Sequence, residues 1–170
     1  MNRAGMFAAV AKDGNALMTA SSAFRADRDI VLTAVRNAVD ALLWAAPPLR
    51  NDREVVLAAV MHNGRALRYT DALRDDREIA LAAVTNDGDA LQFARGLRAD
   101  KAVVLAAVKN SPFALQYADE ALRNDSDCVL LAARADEAVL KCAGEAARTR
   151  AAAVLAAERA AKESRERIFG

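Results

Sequence analysis

DREVVLAAVMHNGRALRYTDALRD, residues 52–75, runs without a break into DREIALAAVTNDGDALQFARGLRA, residues 76–99. The two stretches share the opening Asp-Arg-Glu, a central Leu-Ala-Ala-Val, the same glycine and the Ala-Leu pair after it. The pattern continues outward in both directions. Residues 100–124 read DKAVVLAAVKNSPFALQYADEALRN and residues 27–51 read DRDIVLTAVRNAVDALLWAAPPLRN. Residues 2–26 read NRAGMFAAVAKDGNALMTASSAFRA, and Asp125 opens a weaker copy, DSDCVLLAARADEAVLKCAGEAA. Units therefore start at 2, 27, 52, 76, 100 and 125, with a period of 24 or 25 residues. Self-similarity at such a period is the signature of a repeat architecture. A seventh start falls at Arg150, where RAAAVLAAE matches the first half of a unit before a charged stretch, Arg159–Arg167. This predicts a terminal helix over about 150–167 that caps the array.

Each unit reads as two short helices, A and B. Asn51 with Glu54, and Asp75 with Glu78, have the spacing of a capping box and predict the start of helix A. Val55, Val56, Leu57, Ala59 and Val60 then cover a wide arc of the helix and leave Glu54, Ala58 and Met61 outside it. Asp13-Gly14, Asn63-Gly64 and Asp87-Gly88 predict helix stops with the glycine in the left-handed conformation. In the second unit Asn37-Ala38-Val39 replaces that pair, which predicts a different turn or one bent helix. Ser111-Pro112 replaces it in the fifth, with Pro112 suited to the first turn of helix B.

Helix B of the third unit is expected over Arg65–Asp71, with Ala66, Leu67 and Thr70 inward. Its leucine recurs as Leu17, Leu42, Leu67, Leu91, Leu115 and Leu140. The alanine of Ala9, Ala34, Ala59, Ala83, Ala107 and Ala132 is the same in every copy, and only a methyl there lets two helices approach closely. One such hairpin cannot bury its apolar face alone, so the copies must stack. The expected fold is all-α: an α-solenoid of two-helix repeats, wound as a right-handed superhelix, in one helical-repeat domain over residues 1–170.

Composition agrees. Of 170 residues, 54% are hydrophobic but only 5% aromatic, and alanine takes about a quarter of all positions. Such a core suits closely packed helices better than sheets. Charges number 24 basic and 23 acidic, for a net charge of +1. That balance excludes a strongly basic nucleic-acid or membrane-surface binder and an acidic disordered tail, while leaving room for local patches. The longest apolar runs, such as Val55–Met61, fall far short of the ~20 residues needed to span a bilayer. Lys12 and Asp13 cut off the apolar stretch Met6–Ala11, which makes a poor signal peptide. Cys128 and Cys142 lack a CxxC spacing and are expected as buried, reduced thiols in a cytoplasmic protein.

The motif LRxDREVVLAAVxxNGxALxYA, clearest at Leu49–Thr70 and Leu73–Ala94, resembles an uncharacterised helical-repeat family defined as a domain of unknown function. The resemblance covers residues 2–124 well and 125–157 weakly, and departs in the second and sixth units. It implies no activity, cofactor or catalytic residue. Members occur in bacteria, algae and protists, and some in bacterial proteins suspected of acting inside host cells. That implies a host-directed role and delivery into a host cell.

The residues themselves point to no catalysis, cofactor or metal. His62 is the lone histidine and falls at a helix end, and no glycine-rich phosphate loop follows a strand. Two basic ladders stand out: Arg25, Arg50, Arg74, Arg98 and Arg123 between units, and Arg3, Arg28, Arg53, Arg77 and Lys101 at the start of helix A. Either could track a phosphate backbone. The aspartates Asp27, Asp52, Asp76, Asp100 and Asp125 interleave with both, which favours bonds to neighbouring carboxylates or turn carbonyls. On helix B the column Thr19, Trp44, Tyr69, Phe93, Tyr117 and Cys142 borders the expected exposed side. Beside it, Leu43, Arg65, Arg68, Gln92, Phe113 and Gln116 vary from copy to copy, as the partner-specific stripe of a uniform scaffold does. The sequence thus predicts a non-enzymatic scaffold that binds a protein or peptide along helix B, through these residues with Trp44, Tyr69, Phe93 and Tyr117. The alternatives are a single-strand nucleic-acid reader, for which a net basic groove is missing, and a purely structural protein.

Overall fold

A computed structural model describes residues 2–38 and 40–169. All of the regular structure among them is helical. Helix A of the six units forms α1 (Arg3–Lys12), α2 (Arg28–Val35), α3 (Arg53–His62), α4 (Arg77–Asn86), α5 (Lys101–Asn110) and α6 (Ser126–Ala135). A final helix, α7, spans Glu145–Phe169. Each helix A packs on the next in chain order, and on the B segment of the unit before it. One continuous apolar cluster runs from Met6 to Leu155.

The helix caps lie one residue later than the capping-box spacing predicts. Asp27, Asp52, Asp76, Asp100 and Asp125 are the N-caps, each side chain accepting from the N–H groups two and three residues on. Asn51 and Asp75, freed from that task, reach the next unit's tail instead. Asn51 Oδ1 accepts from the Ala72 N–H (3.0 Å), and Asp75 Oδ1 from the Gly96 N–H (2.8 Å). Asn51 also accepts from the hydroxyl of Thr70, the one fully buried polar side chain described.

No described residue has a positive φ, so the glycines do not end helix A by turning left-handed. Asp13, Asn63, Asp87 and Asp136 do so by going extended, and each side chain accepts from the N–H two residues on, capping the B segment. Gly14, Gly64 and Gly88 are needed for a close approach. A Cβ there would lie 2.3, 2.2 and 2.4 Å from the carbonyl oxygens of Ala34, Ala83 and Ala107, in the next unit's helix A. Asparagines lock the same junction. Asn86 accepts from the Gly64 N–H (2.8 Å) and donates to Met61 O (3.0 Å). Asn110 does the same with Gly88 N–H (2.7 Å) and Thr85 O (3.0 Å). In the second unit α2 ends early, at Val35, and a turn follows; Val39 lies outside the described residues.

Helix B is not an α-helix in most units. Gly14–Thr19, Gly64–Tyr69, Gly88–Gln92, Pro112–Tyr117 and Glu137–Cys142 are tighter, three-residue-per-turn helices, and only Ala41–Trp44 is an α-turn. Residues three apart eclipse in such a helix. Gly64, Leu67 and Thr70 therefore form one buried line, as do Gly88, Leu91 and Ala94. Pro112 opens its segment as expected.

The terminal helix begins before residue 150. The Leu-Arg of the other tails becomes Ala147-Arg148 here, and the alanine-rich stretch is free to run on as helix. Ala147, Ala151 and Leu155 close the core, and Arg134 holds Glu158 at 2.5 Å. Of the thiols, Cys128 is buried but Cys142 only half so. Burial, then the Asp125 carboxylate, pushes the Cys128 thiol up to about 12.

Candidate functional site

Apart from Arg50, the members of both basic ladders hold units together or close tails. Arg3 reaches Asp27 (2.6 Å) and Asp29 (2.7 Å) of the next unit. Arg28 pairs with Asp52 and Glu54, Arg53 with Asp76 and Glu78, Arg77 with Asp100, and Lys101 with Asp125 and Asp127. Arg3, Arg28 and Arg77 hold Asp27, Asp52 and Asp100 below the usual carboxylate value. For Asp76 the Ile79 N–H is the larger pull, ahead of Arg53. For Asp125 burial pushes the other way, but Lys101 and the Cys128 N–H outweigh it. In the inter-unit ladder, Arg74, Arg98 and Arg123 donate to the carbonyls of Arg68, Gln92 and Ala118.

Of the predicted helix B residues, Arg65, Arg68 and Tyr69 are bonded to one another or to the adjacent unit. Arg65 donates to Asp87 (2.8 Å), with Asp89 at 3.5 Å. Arg68 donates to Asp40 (2.9 Å) and to the Tyr69 hydroxyl, over whose ring it lies at 4.5 Å. The Tyr69 hydroxyl donates to Asp40 (2.5 Å); burial, then that carboxylate, raises its pKa. Gln92, expected exposed, is half-buried and donates to the Asp89 carbonyl (2.9 Å). Phe113 is also half-buried, with the Lys141 ammonium 5.2 Å from its ring centre. Trp44, Phe93 and Tyr117 are half-buried against the core, which fits aromatic packing between units. Leu43 and Gln116 are exposed.

A second surface, not singled out in the sequence, carries a series of depressions. Open depressions lie between successive A helices. One of about 420 Å³ between α2 and α3 is lined by Arg36, Glu54, Leu57, Ala58, Met61 and His62. The next, about 490 Å³ between α3 and α4, is lined by Met61, Leu81, Ala82, Thr85 and Asn86. A third, about 400 Å³ between α4 and α5, is lined by Thr85, Ala106, Lys109 and Asn110. Met61 and Thr85 each border two of these, so the depressions adjoin in a row along the A helices, here called the furrow. Leu57 and Leu81 line the first two, and leucine recurs at the same place in the next unit as Leu105, all three half-buried. Four residues on, on the same helix face, the residue changes in nearly every copy: Ala11, Arg36, Met61, Thr85, Lys109, Arg134. Met61 is 65% exposed, the most open large apolar side chain described. The signal was present in the helical wheel, which leaves Ala58 and Met61 outside the core arc. His62 lies at the furrow's edge, exposed as expected for a helix end.

Among the described residues, no group of three or more His, Cys, Asp or Glu side chains is placed to hold a metal ion. No helix among them is long and apolar enough to cross a membrane. The described residues form an all-helical array of tandem units, which defines a repeat protein. The chain belongs to the family described as a domain of unknown function, DUF4116, whose model matches residues 6–50, 40–72, 52–96 and 100–146. Among curated proteins and among solved structures, nothing matches it.

Proposed function

We propose that the chain is a non-enzymatic interaction scaffold, an α-solenoid that binds a segment of another protein in the furrow between its A helices. The right-handed winding expected of such an array belongs to the same proposal. The observation that carries it is the furrow itself: a leucine at the same place in units two to six beside a position that varies. A constant leucine supplies apolar contact, and a varied neighbour selects among partners. The surface has therefore shifted from helix B, whose arginines are committed to inter-unit ion pairs, to helix A. The same ion pairs draw the ladders away from a phosphate backbone and weigh against nucleic acid as the partner.

The test is selection from a displayed peptide library against the intact chain. Selected peptides should carry apolar side chains at a regular interval, and Met61→Glu with Leu81→Glu should weaken them more than tenfold, as loss of a central apolar anchor does. Peptides that bind the double variant and the parent equally would remove the furrow from consideration.

A further inference from the structure

We propose a second binding site, over the second unit, for a peptide segment that carries a carboxylate beside an apolar side chain. The ladder Arg25, Arg50, Arg74, Arg98 and Arg123 follows a rule with one exception. Arg25 donates to Met18 O (2.5 Å), and Arg74, Arg98 and Arg123 donate to Arg68 O (2.7 Å), Gln92 O (2.8 Å) and Ala118 O (2.8 Å). Each closes the end of the B segment of its own unit. Among the described residues the Arg50 guanidinium has no hydrogen bond and no ion pair. Its tail carries Pro47-Pro48, which no other unit has at that place. Pro48, at φ −60° and ψ −39°, caps the short helix Leu49–Asn51.

Arg50 instead lines an open groove of about 520 Å³ with Arg25, Ser22, Leu43, Trp44 and Pro47. No acidic residue lines it, whereas the guanidinium column of α1 to α4 is matched throughout by carboxylates. Trp44 and Pro47 form an apolar wall, Leu43 is 39% exposed, and Arg25 lies 6.0 Å from the Trp44 ring centre. A guanidinium fork matches a carboxylate bidentately, and a tryptophan face beside it offers an anchor for an aliphatic or aromatic side chain. The groove's charge and shape thus call for an acidic peptide rather than a basic or wholly apolar one. This site does not rest on the furrow between the A helices.

Trp44 is the only tryptophan, so its fluorescence reports on this groove directly. The probe is a blocked tetrapeptide with two glutamates and a leucine, titrated against the intact chain beside the same peptide with glutamines. Expected is a saturable change with the acidic peptide, at least tenfold weaker binding of the glutamine peptide, and weaker binding at raised salt. Arg50→Gln should weaken the acidic peptide at least tenfold with an unchanged circular dichroism spectrum. Arg165→Gln, the same charge change on distant α7, and Met61→Glu, in the furrow, should leave the titration as it was. Equal binding of the two peptides, or full binding by Arg50→Gln, would overturn the proposal. So would inorganic phosphate or acetate that matched the peptide at the same concentration, since that would mark a plain anion site.

Discussion

Gly64→Ala asks whether this glycine serves a turn or a packing contact. The added methyl would stand 2.2 Å from Ala83 O, more than an ångström inside the 3.4 Å at which ordinary contact begins, and 3.0 Å from Ala83 C. Both obstacles are backbone of α4, so no rotamer change relieves them. Units three and four must part, and a gap of 0.5–1 Å already forfeits about a quarter to a half of each dispersion contact across it. The Gly64 N–H bond to Asn86 Oδ1, at 2.8 Å, lengthens with the same movement. Overpacking of this kind costs about 1–3 kcal/mol. With an unsatisfied amide added, about 3 kcal/mol is expected, and in a chain of this size about 6–12 °C in the unfolding midpoint. Thermal and urea unfolding followed by circular dichroism measure it. Ala83→Gly should not rescue the variant, because the obstacle is a carbonyl oxygen and not the alanine methyl. Gly96→Ala is the control, since its methyl meets the Asp75 carboxylate, the end of a movable side chain. A Gly64→Ala loss below about 0.5 kcal/mol, or rescue by Ala83→Gly, would refute the packing argument.

The N-cap aspartates Asp27, Asp52, Asp76, Asp100 and Asp125 titrate below their ordinary value of 3.8 in the folded chain. Protons then bind the unfolded chain first, so their contribution is complete well above pH 3.8 and is lost as pH falls through the lowered folded values. The urea midpoint should drop steeply on the acid side of that value, and Asp52→Asn with Asp100→Asn should flatten the drop; an unaltered acid limb would contradict this. Replacing either by Ala should cost about 1 kcal/mol at neutral pH through the lost cap, read from the same urea curves. Ellman's reagent at pH 8 should modify half-exposed Cys142 in the folded chain and reach buried Cys128 only on unfolding. Equal rates at the two would show that Cys128 is open to solvent.

The unit boundaries and the core columns were legible because they follow from periodicity. Leu17, Leu42, Leu67, Leu91 and Leu115 are all fully buried, and the arginines do bond neighbouring carboxylates. The caps slipped by one residue because Asn51-Asp52 and Asp75-Asp76 place two capping side chains in succession, and nothing local chooses between them. The glycines misled for a different reason. A glycine after a helix most often answers a backbone demand, whereas Gly14, Gly64 and Gly88 answer to a carbonyl two dozen residues or fewer along the chain. The tight B helices left a trace in the three-residue spacing of Gly64, Leu67 and Thr70, but a 3.6-residue wheel hides that spacing. Gln92 and Phe113 were placed outward by the same wheel and are half-buried. The furrow was hidden because it is a property of gaps between helices, and Met61 alone looks like an ordinary surface residue.

The forward reach of Arg3, Arg28, Arg53, Arg77 and Lys101 to an aspartate 23 or 24 residues on has a consequence for how such chains change in length. Units two to five each carry both the hook and the eye, like wagons sharing one pattern of coupling. A duplication or excision that begins at Asp52 and ends before Asp76 leaves a hook facing an eye at the new seam. Growth by whole copies therefore asks for no invention at the joint, and selection is left to work on what each wagon carries.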